Sequence, residues 1–460
     1  MQAALSFANV AVHDPSVIRV GGTFYVFGSH LAAAKSSDLM NWTKLADGVN
    51  DSNPLFGNRV TTELADTFAW AQVTDLWAPD VALGDDGKFY FYYNACKGDS
   101  PRSALGVAVS AKVDGPYVNK QIILKSGMWG LTSEDGTVYD ATKHPNVVDP
   151  AVFKDADGKL WMVYGSYSGG IFILALDKAT GLPVAGQGYG KHLLGGNHAR
   201  IEGAYVLYSP VSKFYYLFTS FGGLDATGAY NLRVSRSLKA DGPYLDGSGK
   251  DMATVMGAVG TVFDDASIAP FGQKLMGNHQ FALAAGETGT ALGYVSAGHN
   301  SAYYDAATGQ YFLIFHTRFP GTGELHEVRV HELFLNDDGW LVAAPLRYAP
   351  LSLATPAQTA DVSAAQAAGS YKLINHGKDI SATLKPSVAI KLGADGTVTG
   401  GVTGSWVHKG SNKVTITLTA GGTFSGVLSR QWNTNAGLFV IAFSAQSLAG
   451  VSIWGVRTGD

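Results

Sequence analysis

Five times along the chain a polar residue leads a short apolar run, a turn bearing Gly or Ser follows, and an aromatic-rich run comes next. The stretches are "HDPSVIRVGGTFYVFGS" from His13, "APDVALGDDGKFYFYYN" from Ala78, "VDPAVFKDADGKLWMVYGS" from Val148, "IEGAYVLYSPVSKFYYLFTS" from Ile201 and "HNSAYYDAATGQYFLIFHT" from His299. Apolar runs of this length flanking a Gly-containing turn predict β-hairpins. The leading residues align as Asp14, Asp80, Asp149, Glu202 and Asn300, and the intervals to Tyr25, Tyr90, Trp161, Tyr215 and Phe312 run from 10 to 13 positions. That regularity marks a repeat.

The five hairpins leave about 69 residues per unit, room for four short strands and their loops, which is the plan of a five-bladed β-propeller. The pattern changes near the C-terminus. A last hairpin, "FLNDDGWLVAAPLRYAP", is followed by the Ala-, Gln- and Thr-rich "LATPAQTADVSAAQAAGS". From about Ser370 a meander begins, with "VAIKLG", "KVTITLT", "TFSGVLSRQW" and "LFVIAFSA" joined by Gly- and Asn-rich turns. The expected organisation is therefore all-β: a propeller over 1–354, a linker over 355–369 and a small C-terminal β-barrel or sandwich over 370–460. Its three tryptophans, Trp406, Trp432 and Trp454, suggest that the C-terminal part buttresses the propeller.

Composition supports this reading and narrows the partners. With 57 glycines and only 15% charged residues the chain suits a turn-rich β fold. A net charge of -4 without a Lys/Arg cluster leaves no electrostatic footprint for nucleic acid or an anionic membrane, so a neutral polymer is the expected partner. Cys96 is the only cysteine, which excludes an internal disulfide framework. No apolar run is long enough to span a bilayer as a helix. "MQAALSFANVAVHDP" has neither the charged nor the apolar region of an export signal, so if the protein is exported its signal is not part of this sequence.

In a propeller the first strand of each blade lines the central axis, so the leading residues converge on one face. Four of the five are carboxylates. Like charges at an axis repel and raise one another's pKa values, a cost that a chemical task or a cation would justify. The plainer alternative is that each acid caps its strand by accepting backbone N–H bonds, and it applies best to Asp80, whose proline precedes it. Pro150 pushes Asp149 toward an extended conformation at a strand mouth. By blade order Asp149 neighbours Glu202, which favours a protonated Glu202, while Asp14 lies across the pocket and stays ionised. Two carboxyls with separated pKa values are what glycoside hydrolysis requires, one to protonate the leaving oxygen and one to activate water.

"HDPSV", "WAPDV", "VVDPAVF", "GKLWMVYGSYSGGI", "RIEGAYV", "GHNS" and "FHTR" resemble the glycoside hydrolase family 43 enzymes, most closely the endo-1,5-α-L-arabinanases, and the C-terminal part resembles the β domain of the longer ones. The resemblance implies Asp14 as general base, Glu202 as general acid and Asp149 as the residue that tunes and orients the acid, with inversion at the anomeric carbon. It also implies sugar contacts from Asn146 and Ser166, an aromatic face from Trp77, and an axial calcium bound through His316, largely by way of waters. His13 is placed to orient the base or touch sugar, and Arg318 to reach the acids or the ligand. A secreted or periplasmic, monomeric arabinan hydrolase is expected. The alternatives are an exo-acting α-L-arabinofuranosidase, arabinanase or β-xylosidase on the same scaffold, and a non-catalytic carbohydrate-binding propeller. Long segments at 49–71, 126–144 and 245–298 are read as loops that wall the groove.

Overall fold

Each repeated hairpin lies in a sheet whose blade strands are antiparallel and follow chain order; the first four sheets have four strands and the fifth has six. In this computed structural model, which describes residues 5–355 and 359–459, the first sheet runs Ser16–Val20, Thr23–Gly28, Ala32–Ser36 and Thr43–Ala46. The next three open with Asp80–Leu83, Ala151–Lys154 and Ile201–Tyr208, and the fifth with Gly293–Asp305. The register follows from the alternation of side chains: in the third blade Trp161 pairs with Phe153 and Val163 with Ala151.

Apolar wedges between successive blades hold the five-bladed propeller together. Phe27 and Ala33 of the first blade meet Phe91 and Tyr93 of the second. Ile173 and Leu193 of the third meet Val206 and Leu217 of the fourth. The ring closes where Phe24 and Val26 of the first blade pack on Phe312 and Ile314 of the fifth. No covalent or shared-strand link spans that seam among the described residues; the N-terminal lead crosses it, with Val328 N–H donating to Val10 O at 2.9 Å and Ser301 Oγ to Pro15 O at 2.7 Å.

The C-terminal meander closes into an eight-stranded barrel from Gly369–Asn375 to Ser452–Arg457, which resolves the choice between barrel and sandwich. Its core includes Trp406. The other two tryptophans face the propeller. Trp454 joins the cluster of Leu275, Phe281, Leu313 and Trp340, and Trp432 packs with Met40, Ala349 and Phe439 against Leu5 and Phe7. The short strand Lys385–Pro386 runs parallel to His279–Gln280 and so adds itself to the sheet of the fifth blade. Of the linker reading, 356–358 lie outside the described residues.

The segment 245–298 is not one loop. It carries Gln273–Met276, the fourth strand of the fourth blade, as well as His279–Gln280 and the helix Asp265–Ile268. The segment 49–71 holds two short helices, Val60–Glu63 and Ala65–Ala71. No helix among the described residues is long and apolar enough to cross a membrane.

Candidate active site

Asp14 and Asp149 each precede a proline, yet their φ angles are +55° and +56°. The expected extended conformation at Asp149 is therefore wrong. The chain turns into the left-handed region, uncommon for a residue other than glycine and costly enough to persist only where the surroundings impose it. At Asp14 those surroundings are visible: its N–H donates to His316 Nδ1 at 3.1 Å. Both turns aim a carboxylate at the axis. Asp14, Asp149, His299 and Asn300 line one small axial cavity, as convergence of the leading residues requires.

Asp80 stands apart from this group. It accepts from Ser16 Oγ and, at 2.6 Å, from Val152 N, tying the first three blades together. Its role is the strand-capping one.

Asp14 sits in a cradle of donors. Oδ2 accepts from Ser29 Oγ at 2.5 Å and lies 2.8 Å from His13 Nδ1, while Oδ1 lies 3.1 Å from His299 Nδ1. Burial alone pushes this carboxyl up, but the charges and hydrogen bonds of His13 and His299 outweigh it and hold the group well below the usual carboxylate range. An ionised Asp14 suits a base. Burial also pushes up both Asp149 and Glu202, and each carboxyl further resists the charge around it. The two titrate as a pair, so a proton held by either is shared property.

Glu202 is clamped by two hydroxyls, Ser166 Oγ to Oε2 at 2.7 Å and Tyr230 Oη to Oε1 at 2.8 Å. The backbone N–H of His299 in turn donates to Ser220 Oγ at 2.7 Å, and Ser220 bonds to Tyr230. His299 is opposed by burial, yet Asp14 and Asp149 raise its imidazole to about 9, which makes it the cation of the acidic ring.

The sequence reading missed both His299 and Tyr230. A signal for the first existed: His299 precedes the fifth leading residue as His13 precedes the first. Tyr230 lies at the mouth of the third strand of its blade, outside the repeated hairpin, and nothing in its local pattern distinguishes it.

The remaining expected residues are distributed as follows. Asn146 bridges to Ser166, but its Oδ1 accepts from Ser103 Oγ at 2.5 Å and its Nδ2 faces Cys96 Sγ at 3.6 Å. Trp77 is half-buried beside Gly98. Arg318 does not reach the acids; it pairs with Glu324 and donates to Leu224 O, both at 2.5 Å. His316 is fully buried, stacked on His13 with ring centres 3.8 Å apart.

Among the described residues, His13, Asp14 and His316 form a group whose ligand atoms lie within 4.8 Å of one another. Two imidazoles and one carboxylate offer few oxygens for a hard cation, so calcium fits here only if waters supply most of its shell. His316 Nε2 is buried without a hydrogen-bond partner, an atom that a bound group would satisfy. Because Nδ1 accepts from Asp14, the neutral ring carries its proton on Nε2; ligation through Nε2 needs the other tautomer, with Nδ1 turned to donate toward Asp14 Oδ1, 3.4 Å away.

Residues 6–262 match glycosyl hydrolases family 43, and residues 345–455 match a C-terminal lipocalin-like domain. The chain is 59% identical over 451 residues to an extracellular endo-α-(1→5)-L-arabinanase 2 of Bacillus subtilis, covering 98% of this chain and 94% of that one. The crystal structure of an endo-1,5-α-L-arabinanase from Thermotoga petrophila superposes with a TM-score of 0.92 at 48% identity, covering 99% of this chain and all of the other. A family 43 glycoside hydrolase from Bacillus licheniformis does so at 0.93 with 56% identity, over 99% of this chain and 100% of its own. Such likeness runs through propeller and barrel alike and encloses the acidic axis, so the chain belongs to glycosyl hydrolases family 43.

Proposed function

We propose that the protein cleaves α-1,5-L-arabinofuranosidic bonds within arabinan, with inversion at the anomeric carbon. The observation that carries this is the split in the acidic ring: a carboxyl whose pKa two imidazoles lower stands with a carboxyl pair whose pKa values burial raises. The near full-length likeness to endo-arabinanases supplies the substrate class and the endo mode.

In this reading Asp14 takes a proton from the attacking water, with His13, Ser29 and His299 fixing its carboxylate. Glu202 gives its proton to the leaving oxygen. Ser166 and Tyr230 hold its carboxyl in place, and Asp149 keeps it protonated by proximity. Trp77 supplies an aromatic face for a sugar ring. Asn146 contributes through Ser166, whose backbone it bridges. Calcium, held by His316 and waters, would add positive charge near the ring when bound. An extracellular location follows the naming of the relatives.

The test is the course of digestion of linear arabinan. Endo action predicts a fall in viscosity well before reducing sugar reaches its plateau. Release of arabinose or arabinobiose alone from the earliest times would assign the exo mode instead.

A further inference from the structure

At the junction of the fifth blade and the barrel lies a cavity of about 330 Å³, away from the acidic axis. Its walls are aromatic and come from three parts of the chain: Phe7 from the N-terminal lead, Tyr294 and Phe319 from the fifth blade, and Trp432 from the barrel. Its polar groups are mostly donors. Arg347 lies with its guanidinium carbon 3.8 Å from the centre of the Phe7 ring and donates to Asn9 Oδ1 at 3.1 Å; it makes no ion pair among the described residues. Arg329 lies over Phe319 at 4.6 Å and is already paired with Glu327 at 2.6 Å. Trp432 Nε1 is buried without a partner.

Partly exposed rings of Phe7, Tyr294 and Phe319 beside the spare N–H donors of Arg347 ask for a ligand with C–H faces and many acceptor oxygens. A saccharide has both. A small inorganic anion has the acceptors but would leave its hydration shell for aromatic walls at a loss. The cavity is also tied to the catalytic face through one loop. Arg318 and Glu324 pin the ends of segment 319–324 together at 2.5 Å, and the His326 ring just beyond stands 5.0 Å from that of His13. The other side of the same loop, Phe319, Pro320 and Thr322, lines the cavity. One loop thus borders the cavity and, through His326, stands beside His13 at the axis.

We propose that this junction cavity is a second saccharide site, which holds a further segment of the arabinan chain while another part occupies the catalytic axis. The proposal rests on the reading of the protein as an arabinanase. The barrel supplies part of the wall, through Trp432 and Thr434. Tethering at two points raises the effective concentration of polymer at the axis and does nothing for a substrate too short to span both.

The test uses the full chain. Arg347→Ala, and separately Phe319→Ala, are assayed on polymeric arabinan and on arabinotriose, with melting temperatures checked. The expected result is a fall in kcat/KM on the polymer on the order of fivefold, carried by KM, with arabinotriose unchanged. Calorimetric titration of Asp14→Asn with arabinohexaose should show two binding events, and one when Arg347→Ala is added. Equal polymer kinetics in all variants together with a single event in both titrations would overturn the site. Benzoate separates the alternative occupant: if it binds in an Arg347-dependent way and arabinohexaose does not, the cavity takes organic anions and the saccharide assignment is wrong. Absence of any hydrolysis of arabinan by the unaltered protein would fell the functional reading, and this site with it, whereas hydrolysis with a single binding event fells this site alone.

Discussion

Tyr230 reaches Glu202 across a space that only a glycine leaves open. A Cβ at position 298 would lie 1.9 Å from Tyr230 Cδ1, and the 2.8 Å hydrogen bond to Oε1 depends on that missing atom. The ring is further held by its stacking on His316, centres 6.2 Å apart at 29°.

Tyr230→Phe should therefore lower kcat on arabinan by about tenfold, the cost of one hydrogen bond to an ionisable group. The loss should be smaller on an aryl arabinofuranoside whose leaving group needs little protonation. Gly298→Ala should cause at least the same loss and also lower the melting temperature, since the ring must move. Steady-state kinetics on the two substrates checks both. A Tyr230→Phe protein with full activity on arabinan would remove the tyrosine from the acid's support.

The assignment of acid and base predicts inverted product, readable by NMR of fresh hydrolysate, and carboxyls of Asp14 and Glu202 roughly 6.5 to 9.5 Å apart. Glu202→Ala should spare substrates with good leaving groups far more than arabinan. Asp14→Ala should be equally poor on both, because water must be activated in either case. Retention of configuration would overturn the assignment outright.

The pH profile follows from the directions of the shifts. Glu202, with its pKa raised, stays protonated to higher pH than an ordinary glutamate, and activity is lost as pH rises through it. Asp14, with its pKa lowered, stays ionised well into acid, so the acidic limb lies below the ordinary carboxylate range. Asp149→Asn leaves Glu202 without the carboxyl it titrates with, so the pair's upper titration is lost and the alkaline limb should move to lower pH. An unmoved limb would leave Asp149 as a substrate ligand or a structural turn.

Chelation, or His316→Ala, should lower activity or melting temperature if a cation compensates the ring. Metal analysis of the purified protein gives the direct check. Unchanged melting and full activity in excess chelator would leave His13 and His299 to compensate the ring without a metal.

Deleting the chain after about Ala360 should give an aggregating propeller. Lys274 is buried, burial draws its pKa down to about 7, and its Nζ donates to the carbonyls of His376 and Asp379 at 3.0 and 2.7 Å. Arg233 donates to Lys378 O at 2.8 Å, and Glu287 pairs with Lys372 at 2.6 Å. Truncation removes all these partners and bares the faces of Phe281 and Trp340. Solubility and light scattering of the truncated protein decide the matter; a soluble, fully active product would refute it.

The propeller and the acidic axis were legible because each blade repeats the same leader, turn and aromatic run, so a fold-level symmetry is written at residue level. The backbone at Asp14 and Asp149 was not, since the local rule for a residue before proline points to extended geometry and only the tertiary cradle overrides it. The strand Gln273–Met276 was hidden by its four-residue length and by the helix and turns that precede it. Tyr230 was invisible because its importance rests on the absence of a side chain at Gly298, more than sixty positions away.

The apolar cluster of Leu5, Phe7, Met40, Ala349, Trp432 and Phe439 sits where the first and last blades meet, and the barrel supplies two of its members. A ring of sheets with one non-covalent seam behaves like a belt, whose strength is that of its buckle. Heat or force should part this belt at the seam before any blade melts, and the barrel acts as the tongue that keeps it fastened. It follows that a cross-link between the N-terminal lead and the barrel should slow irreversible inactivation more than any equal reinforcement within a blade.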